Sequence, residues 1–382
     1  MLSVFSTHIG GFQVVPAAVG DNAPAEVEPL EWKHVTDRWI PALCQLMQRH
    51  VDLPIVQREA CRVLSLLCQQ PLQQQQQQQQ QPLQQQYQPE ELVGLGMNVH
   101  NDRQTAIREN GGMHSLVKAM HTHKYNPDVQ VMACRTLRIL CHKHATNRDV
   151  AGQCGAINAL VSALQNHVRI ADVVAEGCTT LAALCFENTP NKNTLREEGG
   201  VTALVECMTT CSDHLNNANV HAAACLALWK CCFENSLNRD AIREAGGIPA
   251  ILFAMKQFMS SNDQDPDSIK HNVEVQVQAM GALMNLSHQN NDNKATARAA
   301  GAFEAVLSAM KAFPQEMLVQ KHGCGALNNL LGDGRSVGRG EPAHKIRQGL
   351  LSLQPERVLA DAGTNFPKEC GALVRSLLKK LA

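Results

Sequence analysis

Histidine and cysteine side chains gather at three places in the sequence. His121, His123, Cys141, His142 and His144 fall in one stretch as HTH and CHKH. Cys207, Cys211 and His214 follow an i, i+4, i+7 spacing that a helix would place on one face, and Cys231 and Cys232 are adjacent. These residue types ligate zinc or carry redox chemistry. A structural zinc site, however, pairs two ligand clusters at fixed spacing, and a redox dithiol separates its cysteines by two residues. Neither pattern occurs. Nor does GxxxxGKS/T, GxSxG or HExxH, and no GxGxxG follows a strand pattern. The carboxylates Glu197 and Glu198 abut Gly199 at a helix end, as solvated charge. The expectation is a protein that is no enzyme, with no catalytic residues, no cofactor and no metal. A Cys/His metal-binding protein is the alternative of another class.

Composition narrows the partners. The chain of 382 residues holds 34 Lys plus Arg against 35 Asp plus Glu, a formal net charge of -1, with 4% aromatics. Duplex affinity comes mostly from cationic side chains neutralising phosphates, and single-strand binding from aromatic stacking, so nucleic acid is not expected. Neither is a small-molecule substrate. No run of 18 apolar residues spans a bilayer, and neither terminus carries a lipidation box, so no membrane role is expected. The first twenty residues contain no Lys or Arg, unlike a secretory or mitochondrial leader. The expected location is the cytoplasm, with the nucleus open, and most of the fifteen cysteines should be free thiols.

The elements that must position these residues are repeated. The segments ACRVLSLLC, ACRTLRILC, GCTTLAALC, ACLALWKCC, AMGALMNLS, GCGALNNLL and ECGALVRSLL align on Cys61, Cys134, Cys178, Cys225, Met280, Cys324 and Cys370, taken as position 0. Position +3 is Leu in all seven, and position −5 is Val in all but the last, which has Asn365. Positions −5, 0, +3 and +7 share one helix face. A second signature, as in NRDAIREAGGIPAILFAM, precedes most of these helices. Its glycines Gly111, Gly155, Gly199, Gly246 and Gly301 are 44, 44, 47 and 55 residues apart. Such a Gly supplies a left-handed cap, so each unit reads as short helix, Gly turn, helix, loop, longer helix. Ten of the fifteen cysteines occupy position 0 or +7, where a small apolar residue suits a close helix contact.

The stretch FENSLNRDAIREAGGIPAIL followed by VQVQAMGALMNLS resembles armadillo repeats, over about residues 31–382 less the glutamine tract. The resemblance implies an all-α, armadillo-type α-solenoid: a right-handed superhelix of three-helix repeats whose third helices line a concave groove for extended peptides or partner domains. The expected organisation is a flexible arm at 1–30, a divergent repeat at 31–70, a Gln-rich disordered insertion at 71–100, five repeats at 101–331 and a degenerate capping repeat at 332–382. Residues 69–88 hold 15 Gln in 20. SSNDQDPDSIKHN at 260–272 reads as a second inserted loop, and GDGRSVGRGEP at 332–342 as a Gly-rich turn.

Opposite the core face, positions −2, +1 and +5 of the third helices carry five basic and two acidic residues, a formal +3 that favours an acidic guest. In peptide-binding relatives an Asn on the third helix hydrogen-bonds the guest backbone. Asn285 and Asn329 match that position, in ALMNL and ALNNL. The partner-binding groove is therefore assigned to Arg135, Lys230, Asn285 and Asn329, in a non-enzymatic protein-binding scaffold or adaptor for an extended, acidic segment. The alternative is a regulator that binds a folded domain, such as a small GTPase, through its loops or convex face.

Overall fold

The computed structural model describes residues 38–68, 96–209, 214–260, 265–332 and 342–382, with side chains from residue 103 in the second stretch. The arm at 1–30, residues 71–95 of the Gln-rich segment and most of the turn at 332–342 lie outside the described residues. Within them there are twenty helices and no strand. The chain forms two compact units, Met1–Ala159 and Leu160–Ala382.

In the first unit, α1 (Ile40–Arg49) and α2 (Pro54–Cys68) are the second and third helices of one repeat. The next comprises α3 (Gly96–Glu109), α4 (Gly112–Thr122) and α5 (Pro127–Cys141), followed by α6 (Ala145–Gln153). The helix α7 (Ala156–Asn166) spans the unit boundary. The second unit continues with α8 (Ala171–Cys185), then α9 (Thr189–Glu197), α10 (Gly200–Thr209) and α11 (Ala218–Cys232). It adds α12 (Ser236–Glu244), α13 (Gly247–Gln257) and α14 (Pro266–Ser287), then α15 (Asn291–Ala299), α16 (Ala302–Ala312) and α17 (Met317–Leu331). It ends with α18 (Ala343–Leu351), α19 (Glu356–Asn365) and α20 (Gly371–Leu381). This all-α arrangement of three-helix units is an armadillo-type solenoid.

Local chemistry explains the boundaries. The glycine between first and second helices has positive φ at all five expected positions, as at Gly246 with φ +78. The turn from a third helix into the next first helix places a non-Gly residue at positive φ: Lys143, Glu187, Glu234 and Gln289. An N-cap follows. The side chains of Asn188, Asn235 and Asn290 each accept from the backbone N–H three residues on, at 3.0 Å, and His144 does the same through Nδ1 at 3.3 Å.

Burial follows the lattice. All ten cysteines at positions 0 and +7 are buried, as are Leu64, Leu137, Leu181, Leu228, Leu283 and Leu327 at +3. Burial raises most of these thiols, up to about 12 at Cys61, Cys141, Cys185 and Cys225.

Two expectations change. The stretch 260–272 is only partly loop: α14 starts at Pro266 and is 22 residues long, against 15 for α11 and α17. Asp265 caps it, Pro266 fills the first turn without sacrificing a hydrogen bond, and Asp267 faces the positive helix end. The last repeat also leaves the register. Its final helix begins at Gly371, after position 0 rather than seven residues before it, and buries Val374 in place of the +3 residue Leu373, while Cys370 and Leu377 stay buried at 0 and +7. The Asn365 that breaks the valine series is the last residue of α19.

Candidate functional site

In the second unit, α11, α14 and α17 are third helices of consecutive repeats, and their cross-repeat contacts follow one rule. Asn285 Nδ2 donates to the Trp229 carbonyl at 3.5 Å, and Asn329 Nδ2 donates to the Met284 carbonyl at 2.8 Å. Trp229 and Met284 both stand at position +4, so each +5 Asn grips the +4 carbonyl of the preceding third helix. The +4 side chains lie over the next helix at +1. A Cβ added at Gly281 would stand 2.7 Å from the Trp229 ring, and one at Gly325 would stand 2.7 Å from Met284 Sδ. Both glycines occupy expected groove positions because the preceding repeat fills the space a side chain would need.

His322 meets Trp229 edge-on, with ring centroids 5.0 Å apart, and its Nδ1 lies 3.1 Å from the Val277 carbonyl. That contact assigns the proton to Nδ1. Burial pushes its pKa down to about 4, so the ring is neutral at pH 7.

Lys230 holds the +5 position of α11. Its ammonium is 4.0 Å from the Trp229 ring centroid and 5.4 Å from that of Phe186. Burial lowers its pKa, and the carboxylate of Glu187 opposes that shift. Lys230, Asn285 and Asn329 are thus brought onto successive helices. Arg135 is half-buried on α5 in the first unit and is taken by itself.

The face is not uniformly open. Lys230 and Asn329 are half-buried, whereas Asn285 is 9% exposed and Gln278 0%, because neighbouring third helices pack side against side. Lys368 precedes α20 and so lies on no third helix, whereas Arg375 is exposed on α20. On α2, Arg62 is held by Glu59 at 2.8 Å, and both Arg62 and Arg58 keep that carboxyl below its usual range against its own desolvation.

The residue clusters with metal or redox potential are dispersed. His121 is exposed, His123 Nε2 contacts the Val51 carbonyl at 2.7 Å, and Cys141 is buried with its thiol toward the Asn147 carbonyl. His144 caps α6, and its Nε2 lies 3.1 Å from Thr105 Oγ1. Cys211 lies outside the described residues. Among these residues no three His, Cys, Asp or Glu side chains converge. No described helix is long and apolar enough to cross a membrane.

Two ladders of buried amides escaped the sequence reading. At position −4, Gln57, Gln130, Gln276 and Gln320 each donate through Nε2 to two carbonyls at the end of the second helix, at 2.8–3.0 Å. In the first helices, Asn147, Asn238 and Asn293 donate back to the preceding third helix and across to the preceding first helix; Asn238 reaches the Cys231 and Lys192 carbonyls, each at 3.0 Å. The available signal was the spaced pair in NSLNR and NNDNK, where the first Asn caps and the second bridges.

A family model described as LRRK2 ARM repeat matches residues 78–300, more than half of the chain. No curated protein sequence matches. Among solved structures, an engineered protein is 21% identical, with a TM-score of 0.58, over 76% of this chain and 96% of its own. A designed armadillo repeat protein solved in complex with the peptide (KR)4 is 18% identical, with a TM-score of 0.54, over 71% of this chain and 99% of its own. A computationally designed armadillo repeat protein for modular peptide recognition is 16% identical, with a TM-score of 0.54, over 71% and 100%.

Proposed function

Because the chain belongs to the LRRK2 ARM repeat family, we propose that it is a non-enzymatic protein-binding scaffold. Its third-helix face would receive an extended, acidic segment of a partner. In this reading Lys230 meets a carboxylate, Asn285 and Asn329 meet guest backbone, and Arg135 serves the first unit. The observation that carries it is the pair of amides that donate to the Trp229 and Met284 carbonyls. The 2.8 Å bond holds the Asn329 amide firmly and the 3.5 Å contact orients that of Asn285 more loosely, each engaging Nδ2 and leaving Oδ1 to accept a guest N–H. The peptide-binding designs of the same fold support the general mode, and the (KR)4 guest of one of them is opposite in charge to the guest proposed here.

A labelled (DE)4 peptide titrated by fluorescence anisotropy at low salt tests this, with (KR)4 as the control. Binding of (DE)4 alone, weakened by Asn285→Ala with Asn329→Ala while helical CD is retained, is the expected result. Undiminished binding in that variant removes the groove. The second reading, a folded-domain regulator, draws on the two extra turns of α14. Removing 260–272 is no test of it, since Asn272 is buried and donates to the Ser260 carbonyl at 3.0 Å. Charge reversal at exposed Asp267 and Lys270 is the suitable probe.

A further inference from the structure

The tripeptide Phe-Glu-Asn occurs twice, at 186–188 and 233–235, one repeat apart. Both copies lie in the second unit, at the turn between a third helix and the next first helix. The two Asn residues are N-caps, which explains them. The Phe and Glu of each copy stay exposed. Phe186 is 41% exposed and Phe233 43%, and Leu237, one turn beyond, is 59% exposed. The corresponding residues in the neighbouring repeats are His142 and His288, so the apolar edge is confined to these two turns.

The charges at this edge are sorted. Lys230 stands over the Phe186 ring and Lys192 over the Phe233 ring, each at 5.4 Å. Lys192 is buried and donates from Nζ to the Phe233 carbonyl at 2.6 Å. These three contacts tie both turns into one cluster, and the Glu187 carboxylate acts on Lys230 as well. Glu187 and Glu234 follow the rings at φ +48 and +51 and are exposed. Both residues adopt a backbone conformation that Gly or Asn adopts more cheaply. A partner approaching this edge therefore meets two half-open aromatic faces, each beside a solvated carboxylate.

We propose that this turn edge is a second docking surface, distinct from the third-helix face, for a partner segment carrying two apolar side chains, each followed by a basic one. The apolar groups pack on Phe186 and on Phe233 with Leu237, and the basic groups meet Glu187 and Glu234. Adjacent packed helices stand about 8–10 Å apart, a distance spanned by about three extended residues. The matching guest is an extended segment with Leu-Arg pairs at that separation.

The test uses the full chain and a fluorescein-labelled peptide bearing two Leu-Arg pairs three residues apart, with a Leu-Glu version as control. Salt-sensitive binding of the Leu-Arg peptide alone is expected. Phe186→Ala with Phe233→Ala should weaken it about tenfold. Glu187→Gly with Glu234→Gly should weaken it about fivefold and flatten its salt dependence. The glycine pair suits the positive φ, so it keeps the test valid if the alanine pair misfolds. Asn285→Ala with Asn329→Ala should leave it unchanged, which separates this surface from the groove. Equal binding of the two peptides, no binding by the parent chain, or indifference to the glycine pair would overturn the proposal.

Discussion

The Trp229 indole occupies the space beside Gly281 that a side chain would take, with an added Cβ only 2.7 Å from the ring. Replacing Gly281 by Ala gains about 0.5–1 kcal/mol of helix propensity. Overpacking against an indole held by His322 costs about 1–3 kcal/mol. The loss should win, and denaturant unfolding should show Gly281→Ala less stable than the parent. Adding Trp229→Ala should relieve the clash, so the two changes should be strongly non-additive. Simple additivity would show that the indole moves aside freely.

Asn238 bonds two carbonyls and accepts from Arg196 Nη1 at 3.0 Å, with no exposure of its own. Asn238→Ala leaves buried carbonyls without donors and should cost about 2–3 kcal/mol. Asn238→Asp should be worse, because a carboxylate would face the same two carbonyls. A chemical melt of the three proteins, at matched m-value, reads the order directly.

His221 sits at the −4 position that Gln fills in four other repeats. It is fully buried against Phe258, with ring centroids 5.2 Å apart, and neither nitrogen has a well-formed hydrogen bond. Burial pushes its pKa down to about 4; His214 acts both ways, its backbone raising the value and, more weakly, its charge lowering it. Folded-state depression means the unfolded chain binds the proton first, so stability is full above pH 6.5 and falls as pH drops toward 4. His221 contributes up to roughly 3 kcal/mol of that loss, and His322 titrates in the same window. His221→Gln should raise stability at pH 7 by about 1 kcal/mol and flatten the acid limb without abolishing it. Urea midpoints at pH 7 and 5 that shift equally in both proteins would contradict this.

The buried thiols should be slow toward a disulfide reagent in the native protein, since the thiolate is the reactive form. Among the described cysteines only Cys154 is half-exposed, and burial raises its pKa as well. Labelling should therefore report one slow native site among them, with the rest appearing only on unfolding. Rapid reaction at Cys61 or Cys225 would contradict the packing.

Much of the fold was legible because each repeat states its own periodicity. The valines, leucines and cysteines of the third helices are buried where the 3.6-residue period puts them, and the glycines turn where expected. What crosses between repeats was not legible. Trp229 covering Gly281, or Asn329 reaching the Met284 carbonyl, joins residues 52 or 45 positions apart with no local pattern. Gln130 sits on the apolar face and passes for a flaw in the stripe until its two carbonyl acceptors are seen. The loop at 260–272 hid a helix start in Asp265-Pro266-Asp267, which reads equally as a turn. Of the proposed site, the positions of Lys230, Asn285 and Asn329 followed from register, but their partial closure by neighbouring helices did not.

The amides of Asn147, Asn238 and Asn293 all aim at main-chain oxygen of the preceding repeat, which every residue offers whatever its side chain. A bond of this kind does not test the side chains of the neighbouring module, unlike the fit of Trp229 against Gly281. Such a chain can duplicate, lose or exchange a module and still find the same acceptors waiting. Selection can then rework the outward residues of each module separately, without renegotiating the joints.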